Sequence, residues 1–154
     1  MTAAPPRSPV SKRHETHQAV ETIARLARLL EHRCEDLSLA HYRVLAAVAG
    51  GDERASRVAR RLAVGKPAVS AVVDALVQRG LLSRSVVTTD QRAVRLALTG
   101  KGRAVLDRAE REMAGALEAV AARTADPRGA LAGLARLGAA LDAYLAGRGG
   151  EPAR

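Results

Sequence analysis

The sequence predicts a mainly α-helical fold with one small β-hairpin, and two observations support this prediction. Apolar residues recur every three or four positions over most of the chain, which is the period of helices that bury one face. Between residues 82 and 98 the period changes to two around a polar stretch at 88–92, which indicates two strands joined by a turn. A chain of 154 residues is long enough for one compact core, so we expect a single domain.

Two amphipathic helices are predicted in the first third of the chain. One covers residues 15–35, after a proline-rich and basic start that we expect to be disordered. The second follows Ser38, a residue type that caps helices because its hydroxyl accepts a hydrogen bond from a first-turn amide. Leu37 and Tyr42 are spaced to form a hydrophobic staple across this cap, and Gly50 is expected to end the helix.

The next segment has the pattern of a helix-turn-helix. Residues 55–62 predict a short helix with one apolar and one arginine-rich side. A second helix is expected to begin after Gly65, with Pro67 in the first turn, and to end at Gly80. In the short break between these helices, Val64 is expected to fill the angle where they meet.

The hairpin and two further helices complete the predicted fold. In the second strand, Val94 and Leu96 are expected to face the core. Thr99 is a candidate cap for a long amphipathic helix, which a break around Pro127 separates from a last, leucine-rich helix. A polar tail is expected from Gly147 onward.

The basic residues are concentrated in one part of the chain, residues 54–103, which we call the basic window. It contains eleven basic residues and two acids, so it carries the entire formal charge of +9. Such a concentration of charge favours a polyanionic partner. Because the chain lacks Phe and Trp and has only two Tyr, it offers few aromatic faces on which unpaired bases could stack. Double-stranded DNA is therefore the predicted partner.

Other classes of protein fit the sequence poorly. No apolar run is long enough to span a bilayer, and the first residues lack the apolar segment of a signal peptide, so we expect a cytoplasmic protein without membrane contacts. The single cysteine, Cys34, excludes an intramolecular disulfide. All four histidines lie in the first third, and no catalytic motif is present, so neither an enzyme nor a cofactor is predicted.

Several short motifs occur in the order that is typical of the multiple-antibiotic-resistance regulator (MarR) family, and the sequence resembles that family over roughly residues 15–146. The most specific are a Gly-Leu-Leu-x-Arg element, an Asp-x-Arg element and a Leu-Thr-x-x-Gly element after the helix-turn-helix. In this chain they read Gly80-Leu81-Leu82-Ser83-Arg84, Asp90-Gln91-Arg92 and Leu98-Thr99-Gly100-Lys101-Gly102.

The resemblance implies a winged helix-turn-helix with N- and C-terminal dimerisation helices. The expected single domain covers residues 15–146, with a DNA-binding lobe at about 37–100 and dimerisation helices at about 15–35 and 101–146. A disordered arm at 1–14 and a flexible tail at 147–154 flank it. The implied function is that of a ligand-responsive transcriptional repressor that binds a palindromic operator as a homodimer.

For DNA binding, the resemblance implies that the helix from about 66 to 80 enters the major groove and that the wing enters the minor groove. Asp90 is expected to pair with Arg84 or Arg92 and so to fix the wing tip, while Arg92 inserts into the groove. The implied DNA-binding residues are Arg57, Arg60, Arg61, Lys66, Pro67, Ala68, Ser70, Ala71, Arg84, Asp90, Arg92 and Arg95.

The resemblance also implies a dimer interface and an effector site. A small aromatic or anionic effector is expected between the dimerisation helices and the DNA-binding lobe, near His41, Tyr42 and Arg84. The dimer interface is expected to contain Val20, Ile23, Leu131, Leu134, Leu141 and Leu145.

Two alternative functions stay open at the level of sequence. Cys34 and His41 could serve a metal- or redox-sensing regulator, although their spacing is not that of a metal site, and an unreactive thiol is expected. A winged-helix module that binds only other proteins is the second alternative, against which the basic window and Arg92 argue.

Overall fold

The computed structural model describes residues 9–34, 36–51, 54–87 and 90–148, with the side chains of 9–12, 86–87, 90–93 and 148 excepted. Its helices and strands confirm the predicted mainly α-helical fold with a small β wing. They are α1 (Pro9–Arg33), α2 (Leu39–Ala49), α3 (Ala55–Leu62), α4 (Lys66–Gln78), β1 (Leu82–Val87), β2 (Asp90–Leu98), α5 (Gly100–Ala121) and α6 (Pro127–Arg148).

Both terminal helices are longer than the sequence suggested. Disorder was expected through residue 14, but α1 begins at Pro9, a residue type that suits the first helical position because its fixed φ is helical and no amide is needed there. At the other end α6 continues to Arg148, so Gly147 is helical although the flexible tail was expected to start there.

The predicted cap of α2 is confirmed. The Ser38 hydroxyl accepts a hydrogen bond from the His41 amide at 3.3 Å. The same oxygen lies 2.8 Å from Nδ1 of the His41 ring, so the imidazole occupies the place that Glu takes in a capping box. Leu37, just before the cap, is fully buried, and Tyr42 is half-buried against the same core.

The turn of the helix-turn-helix follows a left-handed residue. Ala63 has φ +52°, and the Val64 amide donates to the Ala59 carbonyl at 3.1 Å, which closes the end of α3. The expectation that Val64 fills the angle between the helices is wrong, because its side chain is 40% exposed. Leu62, one residue before the reversal, packs against the core instead.

Helix α4 has the predicted ends. Gly65 occupies the N-cap and Pro67 lies in the first turn, as predicted. The helix buries Val69, Val73 and Leu76 on one face, and Gly80, at φ +69°, follows its C-cap. Only glycine adopts that backbone conformation without a steric penalty, so the chain can leave the helix abruptly and enter β1.

The wing is an antiparallel hairpin in which Leu82 pairs with Leu98 and Val86 with Val94. Leu96 is buried, but Val94, two residues earlier on the same face, is 43% exposed, so the core does not cover it as expected. β2 begins at Asp90, so Arg92 lies in a strand and not at the tip of the turn. A register shift next to Val87, which pairs with Asp90, interrupts the ladder in this region.

The start of α5 is fixed to the segment that joins α4 to the wing. Thr99 caps α5 by accepting the Gly102 amide at 2.9 Å, as predicted, and its hydroxyl also donates to the Gly80 carbonyl at 2.7 Å. The Thr99 amide donates to the Leu81 carbonyl at 3.2 Å. Gly102 packs so closely on Leu81 that a Cβ at this position would overlap the Leu81 carbonyl oxygen.

The core lies between the helix-turn-helix, the wing and the first half of α5, while α1 and α6 both pack on α5. Within the described ranges, no helix combines the length and the apolar character needed to cross a membrane. The largest fully buried side chains are Leu45, Leu76, Leu81, Leu96, Leu106, Val44, Val58, Val69 and Val73.

The contact at Gly102 leads to a prediction about stability. Gly102→Ala forces a methyl group into the Leu81 backbone, which cannot move without displacing the wing or α4. We expect the free energy of unfolding to fall by about 1–3 kcal/mol, the usual cost of overpacking. Denaturant unfolding followed by circular dichroism measures the change.

Gly100→Ala is the matched control, since a Cβ there meets nothing within 4 Å. It should leave the free energy of unfolding within about 0.5 kcal/mol of the original chain. Equal stability of the two variants would contradict the close packing at Gly102.

Candidate nucleic-acid interface

The exposed face of α4 is the centre of the candidate interface. Pro67, Ser70, Ala71 and Asp74 are all exposed and follow one another at spacings of three, one and three residues, on the face away from the buried valines. Lys66 and Ala68 are exposed in the first turn. Because the N-cap is Gly65, no side chain caps the first amides, and these remain suitable donors for an anion.

Helix α3 contributes a basic side next to α4. Arg57 and Arg60 are exposed, whereas Val58 and Ala59 between them are buried. The guanidinium of Arg61 lies beside Gly50, 3.0 Å from where a Cβ of Gly50 would stand. Arg61 is therefore directed toward the end of α2, which separates its position from that of the other two arginines.

In the wing, Arg84 forms an ion pair that the sequence did not predict. Its Nη2 atom lies 2.5 Å from Oδ1 of Asp74 in α4, whereas the sequence predicts that Asp90 pairs with either Arg84 or Arg92. Arg84 pairs with Leu96 in the strand register, so both side chains are on the wing face that packs on the core.

The other wing residues divide into two groups. Arg95 is exposed and pairs with Ser85, which places it on the opposite face from Arg84. The side chains of Asp90 and Arg92 lie outside the described residues, so the predicted insertion of Arg92 into a groove stays a prediction.

The described basic residues of the basic window are all exposed, including those that have intramolecular partners. Lys101, for example, donates to the Arg79 carbonyl at 3.1 Å. The surface of the helix-turn-helix and the start of α5 is therefore positively charged and accessible. Its described basic members are Arg54, Arg57, Arg60, Arg61, Lys66, Arg79, Arg84, Arg95, Lys101 and Arg103.

A cleft of about 720 Å³ lies between the end of α1, the link to α2, and α5. His41, Tyr42 and Arg84 were expected at the effector site but do not line this cleft, because α2 directs the first two toward its own cap and the core, and Arg84 is turned toward α4. The charged and polar lining residues are His32, Arg33, Cys34, Asp36, Arg108, Arg111 and Glu112.

Asp36 connects the cleft with the end of α4. Its carboxylate pairs with Arg108 of α5, and its backbone carbonyl accepts a hydrogen bond from Arg79 at 2.6 Å. Arg79 is the C-cap residue of α4. Neither Asp36 nor Arg108 was predicted, since no motif in the sequence indicates that these two residues meet.

The surroundings of Cys34 and His41 offer little support for a redox or metal site among the described residues. Burial, and then the nearby Glu112 carboxylate, raise the pKa of the Cys34 thiol, which disfavours the reactive thiolate. Burial, together with the Arg79 cation, lowers the pKa of His41. Across the described residues, no cluster of three or more His, Cys, Asp or Glu side chains could hold a metal ion.

The residues expected at a dimer interface differ in exposure. Val20 and Ile23 of α1 are 62% and 52% exposed, and Leu141 of α6 is 53% exposed. Leu134 is exposed to a smaller extent, and Leu131 and Leu145 are partly buried. Leu137 and Tyr144, which sequence reasoning left out, are exposed on the same helix. Their spacing of three and four residues from Leu134 and Leu141 was the available signal.

Comparison with known proteins connects this architecture to one family. Residues 35–93 match the model of the MarR family. The transcriptional repressor CouR, solved with a 23-mer DNA duplex, is 25% identical, with coverage of 90% of this chain and 99% of CouR and a TM-score of 0.74. Comparison with curated proteins gives no match.

Two further solved structures share the fold. The PcaV transcriptional regulator from Streptomyces coelicolor, solved with its natural ligand, is 25% identical, with coverage of 90% of this chain and 97% of PcaV and a TM-score of 0.65. The MarR family transcription regulator SP03579 is 16% identical, with coverage of 93% and 98% and a TM-score of 0.71. Residues 35–93 are therefore similar to the MarR family of transcriptional regulators, and the chain as a whole shares the fold of solved MarR-family structures.

Proposed function

We propose that this protein is a ligand-responsive transcriptional repressor that binds duplex DNA as a homodimer. The observation that carries the proposal is the exposed face of α4, which lies on a helix-turn-helix within a window of net charge +9. A helix of this kind fits the major groove of B-DNA, with its N-terminal residues next to the base edges. CouR, of the same fold, was solved on a DNA duplex, which supports the proposal.

On this proposal, the DNA-binding residues divide into those that read base edges and those that only position the protein on the DNA. Lys66 and Ser70 offer hydrogen bonds to base edges, whereas Pro67, Ala68 and Ala71 offer only apolar contact, for instance to a thymine methyl group. Arg57 and Arg60 contact phosphates, which position the protein without reading sequence. Arg92 and Arg95 contribute from the wing.

The homodimer is proposed because α1 and α6 expose apolar side chains that the chain does not cover. Val20, Ile23, Leu137, Leu141 and Tyr144 are each more than half exposed. Apolar surface of this kind is unusual in a monomer and typical of an interface. A twofold dimer places two α4 helices against two half-sites, so the operator is a palindrome with half-sites about 10 bp apart.

The cleft beside α5 is the proposed effector site. Its three arginines, Arg33, Arg108 and Arg111, outnumber its two acids, Asp36 and Glu112, which favours a small anion. PcaV was solved with its natural ligand, and this supports ligand response in a chain of this fold.

A first prediction concerns the dimer. Light scattering at micromolar concentration should give twice the mass of the chain. Leu141→Glu should give a monomer, because a carboxylate at the interface has no partner and loses its hydration. Val64→Glu, at a valine that is 40% exposed in the turn of the helix-turn-helix, is the control and should remain dimeric. A monomeric original chain would contradict the interface and the palindrome.

A second prediction concerns electrostatics. Duplex binding should weaken steeply with salt, because each neutralised phosphate adds about 0.9 to the slope of log affinity against log salt. A dimer that uses the basic window should show a slope of several units in fluorescence anisotropy titrations. Affinity that does not change between dilute and physiological salt would exclude DNA as the partner of this surface.

A third prediction concerns Arg92. On an operator selected from a random duplex library, Arg92→Ala should cost about 1–3 kcal/mol of binding free energy per subunit and leave the melting temperature unchanged. Replacement of A·T by G·C pairs under the wing should weaken the original protein and barely affect the variant, since a narrow A·T minor groove attracts arginine most strongly.

Arg60→Ala is the matched control for this cycle. A phosphate contact does not depend on the base sequence, so Arg60→Ala should lose the same amount of binding affinity on the A·T and the G·C operator. If Arg92→Ala binds both operators as tightly as the original chain in matched salt, the wing does not read the minor groove.

A further inference from the structure

We infer that Arg84 is a positioning residue that contributes to DNA binding through Asp74, without contacting DNA itself. The two side chains join the two elements that the proposed function places in different grooves, α4 and the wing. The inference rests on that proposed function and adds the device that sets the position of one reading element relative to the other.

The strand register determines which way Arg84 projects. Residues that are directly opposite in an antiparallel pair lie on the same face of the sheet. Arg84 is opposite Leu96, and two residues earlier Leu82 is opposite Leu98. Leu82 and Leu96 are 2% exposed, so this face packs on the core. The arginine therefore leaves the wing on its inner face, toward α4.

The position of Asp74 makes the ion pair significant for DNA binding. Asp74 lies on the exposed face of α4, four residues after Ser70 and three after Ala71, so it continues the stripe that is proposed to face the bases. An unpaired carboxylate on this stripe would repel the phosphates of the operator. Arg84 lies 2.5 Å from that carboxylate and neutralises it.

The ion pair contributes little to folding. The side chains of Arg84 and Asp74 are 41% and 53% exposed, and ion pairs of this kind are weak in water. What the pair provides is a fixed distance between β1 and α4 before DNA is bound. Removal of Arg84 leaves the fold intact, frees the wing from α4 and exposes a negative charge to the DNA.

A double-mutant cycle on the full-length dimer distinguishes positioning from direct contact. With a selected operator, Arg84→Ala should weaken binding roughly tenfold or more, because a like charge is left facing the phosphates. Asp74→Asn alone should have a small effect, because the Asn side-chain carbonyl can still accept a hydrogen bond from Arg84. The double variant Asp74→Asn with Arg84→Ala should regain the part of the affinity that the unpaired carboxylate costs, and the affinity still missing is the contribution of the link between the wing and α4.

Two further readouts separate the mechanisms. A direct phosphate contact by Arg84 would lower the salt slope by about 0.9 per subunit in the double variant, whereas the positioning role leaves that slope as in the original chain. Arg84→Lys, which retains the charge opposite Asp74, should restore much of the affinity. Thermal unfolding of each variant should show an unchanged melting temperature.

Arg95→Ala is the control, since Arg95 lies on the opposite face of the same hairpin. Its effect should be the same with Asp and with Asn at position 74, because distant sites are additive. If Arg84→Ala loses the same factor in both backgrounds, Arg84 contacts DNA directly and the inference is overturned. If the original chain binds no duplex at all, the proposed function fails, and this inference fails with it.

Discussion

The close contact between Gly102 and the Leu81 backbone determines how the parts of this molecule are joined. Hydrogen bonds of Thr99 surround it: Thr99 donates to the carbonyls of Gly80 and Leu81, and its hydroxyl accepts from the Gly102 amide. The end of α4, the start of β1 and the start of α5 therefore meet at one point. Because Gly102 has no side chain, the helix axis approaches the connecting segment as closely as backbone atoms allow.

A single helix then connects this junction to the rest of the protein. Along α5, residues from Val105 to Ala119 line the cleft, and both α1 and α6 pack on the same helix. A second link, from Arg108 through Asp36 to Arg79, also ends on the last turn of α4. On the proposed function, an anion that binds Arg108 competes with the Asp36 carboxylate for this arginine. Because Asp36 also contacts Arg79, the competition affects the last turn of α4, next to the wing.

Local chemistry made much of this predictable from the sequence. Ser38 and Thr99 cap helices through contacts with residues three positions away, so their roles follow from spacing alone. The Asp74–Arg84 pair, the Asp36–Arg108 pair and the cleft depend on how separate elements pack, which periodicity does not encode. Val94 has the right alternation but lies beyond the core that would bury it, so alternation alone misplaced it.

The composition of the α4 face suggests how affinity and specificity divide. Three of its residues, Pro67, Ala68 and Ala71, lack side-chain hydrogen-bond donors and acceptors, and its one acid is already paired with Arg84. On the proposed function, direct reading by this helix depends on Lys66 and Ser70, whereas the arginines around it supply affinity that is independent of sequence. Because few polar side chains of α4 can bond to base edges, on the proposed function discrimination between DNA sequences depends more on groove shape and on the angle between α4 and the wing. The contacts between these elements include Asp74 with Arg84 and Thr99 with the end of α4. On the proposed function, residues that touch no base therefore influence which sequence is bound.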